Sequence, residues 1–180
     1  MAGEEFNPND PVASFTNTWQ RVVLDPRGFF DELPPAGGLQ APFLFAMICF
    51  GIGGVSFLIF GGGIKGLLAL MVLGAFRLFV GSAIVALIAQ HLFDGRGDYE
   101  STFRALSYSA APVVVLGIPL VKYVAALYGT YVAIVGIAKA HAFDNTRAVL
   151  TFVATAIVGI VIVHAFGLWG LAYRFNPLLR

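Results

Sequence analysis

Residues 66–93, GLLALMVLGAFRLFVGSAIVALIAQHLF, run directly into DGRGDYES at 94–101, and this junction decides how the whole chain is read. The first stretch has no Asp or Glu and one arginine, Arg77. At about 1.5 Å per residue it is longer than the roughly 30 Å hydrocarbon core of a bilayer. The second stretch collects Asp94, Asp98 and Glu100 in one loop. The contrast repeats on either side: all ten carboxylates lie in residues 1–40, in this loop or at Asp144, and the apolar runs between them hold none. Charged residues make up 12% of the chain, about half the usual share of a soluble domain. With a mean hydropathy of +0.83, the composition is that of an integral membrane protein.

The expected fold class is an all-α integral membrane protein, a five-transmembrane-helix bundle with an N-terminal interfacial amphipathic segment. Residues 1–40 read as a cytoplasmic tail and pre-membrane segment, 41–173 as the membrane domain and 174–180 as a short C-terminal tail. Spans are expected at 42–60, 66–93, 105–121, 123–140 and 148–171. Pro112 and Pro119 predict a kink or a discontinuous helix in the third, because proline removes a backbone donor and clashes with the preceding turn. An even number of spans separates each acidic segment from the next, so all the acids face one side. Arg21, Arg27, Arg96, Arg104, Lys139 and Arg147 fall on that side, against Lys65, Lys122, Arg174 and Arg180 opposite. The positive-inside rule then puts the N-terminus in the cytoplasm and the C-terminus outside. The first 40 residues hold no apolar run long enough for a cleavable signal peptide, so the first span is expected to direct insertion.

Ahead of the spans, residues 1–10 read as a flexible acidic tail. Phe15, Trp19, Val22 and Val23 then recur at helical spacing until Pro26 interrupts, and Phe29, Phe30 and Leu33 continue the apolar face. Phe15, Trp19, Phe29 and Phe30 suit interfacial anchoring, where aromatic rings sit at headgroup level. The same face could instead pack on the bundle.

The order of these features resembles the Yip family of small five-span membrane proteins, and most closely its bacterial branch. The resemblance rests on WQRVVLDPRGFF at 19–30, HLFDGRGDYESTFRALSYSAAP at 91–112, and 128–150, which closes on KAHAFDNTRAVL. It implies a multi-pass protein of the bacterial inner membrane, or of Golgi and ER membranes in a eukaryote. Expected partners are the lipid bilayer, further copies of the chain or other membrane proteins, with Rab-type GTPases for eukaryotic members. The acidic Leu-Tyr-Gly-Pro stretch of eukaryotic members is missing, LDPRGFF standing nearest to it, which puts Rab binding in doubt.

Two constellations could carry chemistry. His-x-Phe-Asp occurs twice, as His91, Phe93, Asp94 and as His141, Phe143, Asp144, at the ends of two spans that run the same way. Two imidazoles and two carboxylates are the ligand types of a divalent cation such as zinc; helix capping at the membrane surface is the plainer reading. Arg77 is the second. A charge near mid-bilayer costs about 2.5 to 3.5 kcal/mol on insertion scales, so it calls for a partner. With no acid nearby, candidates are the hydroxyls of Tyr108 and Tyr128, backbone freed by the prolines, or a lipid phosphate, which together would form an anion- or lipid-binding site. No catalytic residues and no cofactor beyond such a cation are expected, since the Ser, His and Asp residues lack a nucleophile-elbow context and the Gly runs lack a P-loop ending. Net charge of +1 without a basic stripe argues against nucleic acid. Cys49, alone in an apolar span, reads as a small buried hydrophobe. The leading functional expectation is a non-enzymatic organiser or shaper of membrane that recruits partners through its N-terminal segment. The alternative is a small transporter, channel or lipid-handling protein using Arg77 and the His91/Asp94/His141/Asp144 set.

Overall fold

The computed structural model describes residues 5–59 and 63–165, without the side chains of Ser56 and Phe57, and every regular element among them is helical. The end of the fifth expected span, the C-terminal tail with Arg174 and Arg180, and most of the 61–63 glycine turn lie outside the described residues. By length and composition, three described helices could cross a membrane: α4 (Gly63–Phe93), α6 (Val121–Ala140) and α7 (Asn145–Ala165). Helix α3 (Gln40–Ile59) is uncharged and 20 residues long.

Two short helices precede them. In α1 (Pro11–Leu24) proline occupies the first turn, where its missing N–H costs nothing. The helix stops at Asp25 because the residue before Pro26 is driven out of the helical region. Asp25 lies outside the helical region (φ −141°, ψ 70°) and its carboxylate accepts from Gly28 N at 3.0 Å, capping α2 (Pro26–Glu32).

Helices α3 and α4 run antiparallel in close register. A Cβ on Gly54 would come within 2.9 Å of the Leu67 side chain, and one on Gly74 within 2.9 Å of the Phe50 ring. The Phe43 and Phe79 rings meet at 5.3 Å. Small residues at such crossings let helix backbones approach, the main route to packing where lipid removes the hydrophobic drive.

The segment expected as a span at 105–121 is not one helix. Helix α5 (Tyr99–Tyr108) begins on a capping box, Asp98 accepting from Ser101 N at 2.8 Å while Ser101 Oγ accepts from Asp98 N at 3.0 Å. It ends at Tyr108, a 3-10 turn covers Ala111–Val115 with Pro112 near its start, and Leu120 takes φ +67° before α6 begins. The prolines break the helix, as their chemistry requires.

The core sits where these pieces meet. Phe6, Val22, Phe29, Phe30, Phe45, Cys49 and Tyr108 are all buried in one cluster, so residues ahead of the first long helix furnish much of it. Residues 5–10 are therefore no loose tail: the Phe6 ring is buried and packs 6.1 Å from Phe45, and Asn7 exchanges hydrogen bonds with Ser14.

Candidate functional site

Arg104 is the centre of the polar architecture. It lies on α5 with its side chain wholly buried, and a buried guanidinium is tolerated only when its donors and its charge are matched. Nε donates to Pro34 O at 3.0 Å, Nη1 to Gly38 O at 2.8 Å, and Nη2 to Glu5 Oε2 at 2.7 Å. The other Glu5 oxygen accepts from Tyr108 OH at 2.7 Å. The linker 34–38 is shaped around the guanidinium. Gly37 has φ +155°, and a Cβ there would lie 2.9 Å from Arg104 Nη1, so only glycine fits both the backbone and the space. Glu100 fixes the same linker by accepting from Gly37 N at 2.8 Å and Gly38 N at 2.7 Å. Those two N–H groups hold its carboxyl below the ordinary range, with the Arg104 charge contributing less.

The repeated His-x-Phe-Asp ends do come together, though not as a cation site. The Phe93 and Phe143 rings pack edge to face at 6.5 Å, and Arg147 Nη1 reaches Phe93 O at 3.4 Å. His91 is exposed, with Nδ1 3.0 Å from Leu87 O on its own helix. His141 is 1% exposed and stacks on Phe143. Asp94 and Asp144 are exposed, the latter 3.7 Å from Arg147. Among the described residues no group of three or more His, Cys, Asp or Glu side chains could hold a metal ion. The four expected ligands are therefore not assembled, because the two imidazoles face opposite surroundings.

His141 instead locks the 94–98 loop. Thr102 Oγ1 donates to Asp98 O at 2.6 Å, which leaves its lone pairs for His141 Nε2 at 2.8 Å. The imidazole is thereby the Nε2–H tautomer, and its Nδ1 is buried without a hydrogen-bond partner among the described residues. Arg96 N closes the loop onto His141 O at 3.2 Å. Burial pushes the imidazole pKa below its usual 6.5, and the nearby Asp98 charge offsets this in part.

The expected anion site is likewise dispersed. Tyr108 is taken by Glu5, and Tyr128 OH donates to Val23 O at 2.7 Å, tying α6 to α1. Arg77 lies exposed on the outer face of α4 beside the exposed Phe76 and Leu73, and makes no hydrogen bond or ion pair among the described residues. The four aromatic residues expected in the lipid interface face protein: Phe29 and Phe30 are core, Phe15 and Trp19 pack against it, and Trp19 Nε1 donates to Ala111 O at 3.0 Å. Of the two readings of that face, packing on the bundle is what the structure has.

Sequence reading missed the Arg104 network. Glu100 four residues before Arg104 is a local hint of a charged helix face, but the Glu5 carboxylate arrives from 99 positions away. Such a pairing leaves no periodic trace.

A family model described as Yip1 domain matches residues 21–166. Comparison with curated proteins and with solved structures finds no match.

Proposed function

The chain belongs to the Yip1-domain family, and from that premise we propose that it is a non-enzymatic multi-pass membrane protein that organises or shapes its bilayer and presents its N-terminal helices to partners. One observation carries this: a polar cap is fastened onto an apolar belt. The belt is the run of exposed large side chains on α4, α6 and α7, such as Val72, Phe76, Leu127, Ile157 and Val161. An apolar surface of that extent needs lipid against it. The cap is residues 5–32, α1 and α2 among them, fastened to α5 and α6 through Lys139 to Asp31, Tyr128 to Val23 and Arg104 to Glu5. Its outward side carries the exposed Thr16, Asn17 and Gln20, a surface of the kind a protein partner reads. We place this cap on the cytoplasmic side of a bacterial inner membrane, following the charge asymmetry of the loops.

Reconstitution into vesicles tests the reading. Rising protein density should change vesicle shape without opening a path for solutes, and a photo-crosslinker at Gln20 should capture protein where one at Leu127 captures lipid. Solute flux with unaltered vesicle shape would instead favour a transporter or channel.

A second reading concerns Arg77 alone. Its exposure among apolar neighbours on α4 favours contact with an anionic lipid phosphate, which offsets the charge that bare hydrocarbon would penalise. Arg77→Leu should fold normally and retain less anionic lipid in native mass spectrometry; equal retention would end this reading.

A further inference from the structure

We propose that Arg104 and Tyr108 form a receptor for an anionic amphiphile, and that the chain's own Glu5 and Phe6 occupy it. Three observations lead there. The receptor is held independently of its occupant: Arg104 Nε and Nη1 are fixed by the carbonyls of Pro34 and Gly38, and the Glu100 carboxylate fixes that linker in turn. Two donors, Nη2 and the Tyr108 hydroxyl, are left to converge on one pair of oxygens, each at 2.7 Å. Two convergent donors, one of them charged, suit the paired oxygens of a carboxylate or a phosphate.

The occupant has a particular chemistry. Glu5 supplies the anion, with its side chain 24% exposed at the mouth of the site, while the Arg104 side chain behind it is fully buried. Phe6 follows directly and inserts its buried ring beside Phe45. A carboxylate followed by an apolar wedge has the plan of a fatty acid or of a phospholipid headgroup with the start of its chain. Glu100 also stands within electrostatic reach of Arg104. A site already holding one carboxylate favours a monoanion, a phosphodiester or a carboxylate, over a dianionic phosphate.

The consequence is a displaceable latch. Glu5 is tethered through Asn7 and Ser14 to α1, so an outside ligand competes with an effective concentration of at least the millimolar order that a short tether gives. A lipid concentrated in the plane of the membrane can reach that regime, and an anion dilute in solution cannot. When the ligand wins, residues 5–10 leave the core and the start of α1 is freed.

The test uses the full chain in nanodiscs of phosphatidylcholine, with or without phosphatidylglycerol, and in detergent with or without inorganic phosphate. In the wild type, hydrogen exchange at the amides of Phe6, Asn7 and Ser14 should accelerate when phosphatidylglycerol is present, by about tenfold at a tenfold excess over the Kd of the open site. Glu5→Ala should retain one phosphatidylglycerol more than the wild type in native mass spectrometry, and adding Tyr108→Phe should remove that extra lipid. If phosphate alone raises the unfolding temperature of Glu5→Ala, the receptor reads the anion by itself; if phosphatidylglycerol acts and phosphate does not, it reads the amphiphile. Unchanged exchange in the wild type at every lipid content would overturn the latch. No lipid beyond that of the wild type and no phosphate effect in Glu5→Ala would overturn the receptor. The wild-type exchange experiment decides the matter even if Glu5→Ala fails to fold.

Discussion

Arg77 and Arg104 invert what their sequence surroundings suggest. Arg77 lies in the longest apolar run, where a charge demands a partner, and it is exposed with no partner among the described residues. Arg104 lies in a polar stretch, where a charge is unremarked, and it is buried with three acceptors. The apolar run sets the cost of a charge if lipid surrounds it. Whether protein surrounds it depends on which distant segment folds over it, and here residues 5 and 34–38 fold over Arg104.

The largest effect that could break this contrast is Arg104→Met. It leaves the Glu5 carboxylate and the linker carbonyls without their donor, and breaking a buried pair costs about 3 to 5 kcal/mol, at the lower end here because Glu5 is partly exposed. Unfolding in detergent should register that loss; a change under about 0.5 kcal/mol would place Arg104 with ordinary surface charges. Gly37→Ala comes next. It forces a side chain into a positive φ and against the guanidinium, and a loss of about 1 to 3 kcal/mol is expected, read from the same unfolding curves.

A smaller effect is pH dependence at His141, where the end of α6 holds the 94–98 loop. The folded-state pKa of His141 lies below 6.5, so between the two values the unfolded chain binds more protons and stability rises with pH. The contribution is complete above about 6.5 and is lost as pH falls through that value toward the folded pKa. His141→Gln retains a donor toward Thr102 and should flatten this part of the stability profile; an unchanged profile would assign the dependence to another group. Arg77→Leu is expected to have the smallest effect on folding, within about 0.5 kcal/mol of wild type. A larger loss would mean that Arg77 has a partner within the bundle.

These particulars also show what the sequence makes legible. The apolar runs reveal the long helices because a stretch without acids and of sufficient length has few other uses. Pro26 and Pro112 mark the ends of α1 and α5 because proline's constraint is local. The aromatic spacing of residues 15–30 locates an apolar face but not what it touches, since lipid and protein interior select the same residues. The repeated His-x-Phe-Asp correctly marks two helix ends that meet through Phe93 and Phe143, yet it cannot reveal that His141 turns inward and His91 outward. The Arg104 site is the least legible part, because its members come from three separated segments and only the linker glycines hint at a tight wrap.

The most direct test of the claim that the N-terminal segment is built into the membrane domain through Arg104 is a double-mutant cycle between Glu5→Gln and Arg104→Met, read by unfolding of the full chain in detergent. If the contact holds the cap on, the two losses are non-additive, with a coupling of about 1 to 3 kcal/mol. If they add to within about 0.5 kcal/mol, Glu5 and Arg104 act independently, and residues 5–10 belong to a tail rather than to the core.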